Sequence, residues 1–422
     1  MRVDTYKLLH KGIWIYFYLL IFEGALRKWI LPDLSSILLL IRDPLALVLL
    51  FLGFRARLLK NNYYWIICVF IGFISLITTF LTGHGNLLVA LYGLRTMLLH
   101  FPLIFIIGKV FSKKDVIQLG KHVLWMSIPV LILVILQFYS PQNAWVNRGV
   151  GGDLEGAGFS GALGYFRPPG TFSFTTGNVS FFSLVGVFVF YFWTAQKEIN
   201  KLLLLTATAA FFISIPFSIS RTLMFQTVII ILFLIIATFR DSKVAGNLIV
   251  GGIFVSIFII VFSDLPFVNT AIEVITTRFT NASRSEGGIE GTLVDRFLGS
   301  LFGAATNKET PFFGYGLGMA SQVGAKLLTG DTGFLLAEIE WGRIVSTMGL
   351  LIGMMYIIVR GILVVDIGLS AYKQSTSFKN HLPWLLFSYA SYLVLFGQWA
   401  QATMLGFVTI TTGLVLASIE KP

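Results

Sequence analysis

The sequence predicts an all-α polytopic membrane protein, on three observations. Of its 422 residues 56% are hydrophobic and only 12% are charged, with a mean hydropathy of +0.83, a balance that an ordinary soluble domain does not keep. Apolar runs of about 20 residues, the length that crosses a bilayer, recur along the whole chain. Every second segment between them carries lysine or arginine, as the positive-inside rule requires of the cytoplasmic loops.

The runs predict about twelve spans, centred within residues 12–27, 34–54, 63–82, 86–107, 117–139, 178–195, 201–219, 222–239, 246–264, 343–363, 382–398 and 401–418. The first two are interrupted by "EGALRKWILPDL" and "IRDP", which suggests a broken or re-entrant pair. With the N-terminus inside, the internal segments are "MRVDTYKLLHK", "RARLLK", "KVFSKKD", "AQKEINK", "FRDSK", "AYKQSTSFK" and the tail "EKP", each carrying a basic residue and most of them several. Both termini then lie on the cytoplasmic side of a single integral membrane domain, 1–422. The two long polar segments, 140–177 and 265–342, both fall outside.

Charge and cysteine usage narrow the function classes. In a soluble chain a net charge of +11 would suggest nucleic acid, but here it reports the lysines and arginines that hold cytoplasmic loops in place. No nucleic-acid partner is expected. The lone Cys68 excludes intrachain disulfides and cysteine-built metal sites. His10, His84, His100, His122 and His381 are scattered without ligand spacing, so neither metal nor cofactor is expected. The first apolar run continues into Glu23, Arg27 and Lys28 with no small-residue cleavage site, so no cleavable signal peptide is read there.

The outside face has a chemical bias. It carries Arg27, Arg42, Arg148, Arg167, Arg221, Arg278, Arg284, Arg296 and Arg343 against only Lys28, Lys308 and Lys326. A guanidinium is a planar fork of donors that suits phosphate and carboxylate, so this face points to an anionic ligand. Four stretches single out residues. In "GYFRPPGTFSFTTGN", Arg167 stands beside two prolines and Gly170, a rigid turn. In "SISRTLMF", Arg221 lies between two spans with almost no loop, where an embedded charge is a functional candidate. Arg296 precedes the glycine-rich turn "PFFGYGLG", whose backbone amides could approach a phosphate. In "LLAEIEWGRIVSTMG", a helical phase pairs Glu340 with Arg343 and sets Glu338 on a separate face with Gly342, Val345 and Gly349. Glu338 is the candidate base and Glu340 the reserve.

Together these stretches resemble the superfamily of O-antigen ligases and O-antigen or exopolysaccharide polymerases, over roughly residues 160–360. The resemblance rests on "RPPGTFSFTTGN" with Arg167 and Asn178, on the Ser220–Arg221 pair opening a span, and on Arg296 upstream of "PFFGYGLG". It rests also on Glu338 before "GLLIG", where the ligases carry a His. The resemblance implies a GT-C-like fold in the bacterial inner membrane, with a helical periplasmic loop within 265–342 that carries part of the active site. The implied reaction is metal-independent and inverting, moving sugar from an undecaprenyl-diphosphate-linked oligosaccharide to an acceptor hydroxyl. Arg221 and Arg296 would bind the diphosphate, Arg167, Asn178 and Arg343 would bind substrate, and Glu338 would accept the proton. Membrane lipids and a chain-length regulator are the implied partners.

The glutamate at the ligase His position favours a polymerase, as do Phe166, Phe172, Phe174, Phe312, Phe313, Tyr315 and Trp341 near the external face. Ligase and lipid-linked glycan transporter are the alternatives. A transporter of this size commonly shows two similar halves, and no matching motif order relates residues 1–210 to 211–422.

Overall fold

A computed structural model describes residues 2–238, 242–263, 265–286, 299–306, 310–330, 336 and 339–420. The chain runs through α1 (Arg2–Ala25), α2 (Arg42–Arg55), α3 (Tyr63–Leu81), α4 (Leu87–Arg95), α5 (Phe101–Val110) and α6 (Lys113–Tyr139). A hairpin follows, β1 (Phe159–Ala162) and β2 (Tyr165–Arg167). Then come α7 (Thr175–Thr194), α8 (Lys201–Phe217), α9 (Arg221–Thr238), α10 (Ser242–Ser263), α11 (Pro266–Glu286), α12 (Ser300–Thr306) and α13 (Gln322–Thr329). The last four are α14 (Glu340–Met348), α15 (Leu350–Ser377), α16 (Leu382–Phe396) and α17 (Ala402–Ser418).

Among the described residues seven helices are long and apolar enough to cross a membrane, and Lys201–Phe217, Leu382–Phe396 and Ala402–Ser418 are shorter apolar helices. The chain is an α-helical polytopic membrane protein. Its helices start where side chains take the orphan amides of the first turn. Asn62, Asn86 and Asn200 cap α3, α4 and α8, and Ser112 with Asp115 forms a capping box on α6.

Burial separates centre from periphery. The apolar window of α7 is 83% buried, against 28% for α3, so α7 is surrounded by protein and α3 presents most of its surface outward. α17 is likewise buried nearly all round, packed against α5, α16, α7 and α1.

The structure revises two expectations and sharpens a third. Segment 140–177 is not wholly loop: it holds an antiparallel hairpin with Phe159 opposite Arg167, closed by Leu163 and Gly164 at positive φ, the geometry of a tight two-residue turn. The apolar run 343–363 is not one helix, because Gly349 at φ 78° breaks it into α14 and α15. The suspected break after the first run is also specific. α1 passes into a π-helical turn, Leu26–Ile30, and a second π turn, Thr96–His100, joins α4 to α5.

The glycine strap 311–318 is not an anion nest. Its four consecutive central amides are already committed: Gly314 to Pro311 O, Tyr315 to Ser346 O, Gly316 to Thr347 O and Leu317 to Thr79 Oγ1. The glycines serve close backbone approach instead. A Cβ on Gly93 would collide with the backbone nitrogen of Gly318, and one on Gly314 with the backbone of Thr347 and Gly349. The strap therefore fastens α14 to the ends of α3 and α4. Gly93→Ala is expected to destabilise the fold by about 1–3 kcal/mol, since backbone meets backbone and neither can rotate away. A melting temperature equal to wild type in detergent would show that the strap is not seated on α4.

Candidate functional site

The turn that carries Arg167 is clamped from several elements. Asn178 on α7 donates to Pro168 O at 3.1 Å, and Gln137 on α6 accepts from Gly170 N at 2.8 Å. Lys28 donates to Gly170 O at 2.7 Å, and Thr171 donates to Ile21 O at 2.9 Å. Lys28 lies in the connection between α1 and α2, where burial pushes its ammonium down to about 7. Gly170 has φ 61° and lies beside Asn178 Oδ1, so the turn needs glycine there. Asn178, expected to touch substrate, is fully buried and holds the turn.

The hairpin beyond this turn gathers arginines. The Arg167 guanidinium stacks over Phe159 at 4.5 Å, and Arg278 on α11 donates to Ser160 O and Gly161 O at 3.3 and 3.1 Å. Gly161 lies against Ile219, in the turn joining α8 to α9. Ile219 is fully buried at φ 48°, a conformation a β-branched residue adopts only when its surroundings force it. Ser220 then caps α9 by accepting from Leu223 N, and Arg221 is the first helical residue. The strained turn thus fixes the backbone of Arg221 two residues beyond the point where Ile219 meets the hairpin.

A second cluster forms around Glu340, at the start of α14. Its Oε2 accepts from Arg343 Nε and Nη2 at 2.9 and 2.8 Å, and its Oε1 pairs with Arg360 Nη1 at 2.6 Å. Glu340 and Arg360 are each 1% exposed. Arg360 also donates to Val394 O and Leu395 O and lies 4.1 Å over the Trp399 ring. The expected Glu340–Arg343 pair is present, but it belongs to a three-membered cluster whose third member sits on α15. With both oxygens engaged by guanidinium groups, Glu340 is poorly placed to take a proton from a substrate.

A third network was only partly anticipated. Arg42 pairs with Glu23 at 2.9 Å and donates to Ala402 O at 2.6 Å, while Arg27 donates to Ser35 O and Ser173 Oγ. Asp43 takes Arg95 Nη1 on both oxygens, at 2.8 and 2.7 Å, and lies 2.9 Å from His100 Nε2. The other ring nitrogen of His100 faces the Tyr16 hydroxyl at 2.8 Å. Arg95 and His100, which fall in one apolar run of the sequence, are bridged by Asp43.

Glu338 and Arg296 lie outside the described residues. Helix α14 begins at Glu340 with Ile339 extended at its N-cap. The described helical phase therefore runs from Glu340 to Met348 and stops at Gly349. The hairpin group (Arg167, Arg221, Arg278) and the Glu340 group are separate constellations. Both stand at the end of the bundle where α1, α3, α6 and α16 finish and α2, α7, α9 and α17 start. Among the described residues no group of three His, Cys, Asp or Glu side chains is gathered that could hold a metal ion.

A scan of protein-family models, a search of curated proteins and a search of solved structures each find no match to this chain.

Proposed function

We propose that the protein transfers sugar from a polyprenyl-diphosphate carrier to the hydroxyl of a second lipid-linked repeat, at the outer surface of a bacterial inner membrane. The observation that supports this reading is the gathering of Arg167, Arg278 and the Arg221 turn around one hairpin, at a single end of an apolar helical bundle. A lipid diphosphate leaving group accumulates negative charge as its bond to the anomeric carbon breaks, and preorganised guanidinium groups stabilise that charge. The acceptor oxygen attacks the opposite face of the same carbon, which inverts it. Its proton passes to a carboxylate base, for which Glu338 is proposed, and the carrier leaves as polyprenyl diphosphate. Arg296 is proposed as a further diphosphate ligand.

One observation favours transport as the second reading. The Asp43–Arg95–His100–Tyr16 chain reaches into the middle of the Leu87–Val110 span, where ionisable groups usually mark a translocation path.

The discriminating experiment supplies purified protein in liposomes with a labelled lipid-linked oligosaccharide and EDTA. New glycosidic bonds between carrier-linked repeats are expected. Transfer only to a lipid A core acceptor would mark a ligase. Transbilayer movement with no new bond would replace this proposal with transport.

A further inference from the structure

Between α4, the glycine strap and α14 lies a cleft with room for about one water molecule, walled by Tyr92, Thr96, Arg343, Tyr356 and Trp399. Two features of this wall are incomplete. The Tyr356 hydroxyl is buried and has no hydrogen-bond partner among the described residues, a state that costs stability unless something occupies the site. The adjoining charges do not balance. Among the described residues Arg343 and Arg360 share the single carboxylate of Glu340, which leaves one guanidinium charge in surplus at a buried carboxylate. Each nitrogen of the Arg360 guanidinium is engaged, by Glu340 and two carbonyls, whereas among the described residues Arg343 engages Glu340 through Nε and Nη2 and leaves Nη1 without a partner.

We infer that the cleft binds an oxyanion, placing one oxygen of a phosphate or carboxylate group between Arg343 and the Tyr356 hydroxyl. A charged acceptor satisfies the hydroxyl and neutralises the surplus guanidinium, which water does only in part. A phosphate would come from a lipid headgroup or carrier, a carboxylate from an acidic sugar. The site is distinct from the hairpin arginines and does not rest on the transferase reading.

Tyr356→Phe provides the test, because the ring that packs on Trp399 and Arg360 is kept. Full-length protein in nanodiscs of uncharged phospholipid is titrated with inorganic phosphate, and separately with glucuronate, at constant ionic strength, and the ligand-induced rise in melting temperature is followed. Saturable stabilisation of wild type by at least one probe is expected, weakened about tenfold or more in Tyr356→Phe. The ligand-free variant should melt no lower than wild type, since a buried unsatisfied hydroxyl has been removed. That combination separates a ligand contact from a structural one. Response to phosphate alone assigns a phosphate source, and response to glucuronate alone an acidic sugar. No saturable response in wild type, or equal affinity in Tyr356→Phe, overturns the inference.

Discussion

Glu340→Ala is expected to lower the stability of the folded protein by at least about 3–5 kcal/mol, the usual consequence of removing one partner from a buried ion pair. The effect should fall at the upper end, because the carboxylate serves two arginines at once. Without it Arg343 and Arg360 face each other as like charges in an apolar setting. Arg360 cannot turn to solvent to escape, since it is 1% exposed and held by the carbonyls of Val394 and Leu395. The check is thermal unfolding in detergent together with the folded fraction by size exclusion. Glu340→Gln should also be severely destabilised, and adding Arg360→Met should restore part of the loss by removing the stranded charge. Melting of Glu340→Ala within about 1 kcal/mol of wild type, the range of ordinary surface changes, would mean that α14 and α15 are not joined in this way.

This cluster also shows how far the residues could be read unaided. The Glu340–Arg343 pair is local, three residues apart on one helix, so helical geometry suffices to find it. Arg360 is not local. It stands a helix break away, and its approach depends on Gly349 turning the chain at positive φ, which a continuous apolar run does not reveal. The Arg167 turn was legible as rigid because its prolines and glycine act within the chain itself. Its clamps were not, since Lys28 and Gln137 come from elements 142 and 33 residues away.

The glycine strap was misread because positive-φ glycine permits both an anion nest and close packing. Only the acceptors that its amides find distinguish the two. The apolar helices themselves were the most legible feature, since the bilayer sets their length and demands that their backbone be satisfied within each helix. The hairpin escaped notice in a glycine-rich segment whose alternation, Phe159 to Arg167, spans too few residues to stand out.

Arg221→Ala is expected to lower turnover by about 100- to 1000-fold while the protein remains folded, the range seen when one preorganised stabiliser of a developing negative charge is removed. Arg221 is the first residue of α9, only partly buried, and its backbone position is fixed by the Ile219 turn and the Ser220 cap. Shortening its side chain therefore leaves that scaffold in place. Arg221→Lys should recover only part of the rate, because a point charge replaces a planar fork of donors. Glu338→Gln should reduce the rate by about 100-fold or more through loss of the proton acceptor, with little change in substrate affinity. If Arg221→Ala lost activity only in proportion to lost folded protein, Arg221 would be structural.

The most direct measurement is the product distribution formed by purified protein in liposomes from a single labelled lipid-linked repeat, with EDTA present. The expected result is a ladder of carrier-linked oligomers from wild type and from Tyr356→Phe at high substrate, with only unextended repeat from Arg221→Ala and Glu338→Gln. No ladder from folded wild type, or the same ladder from all four proteins, would contradict the transferase assignment.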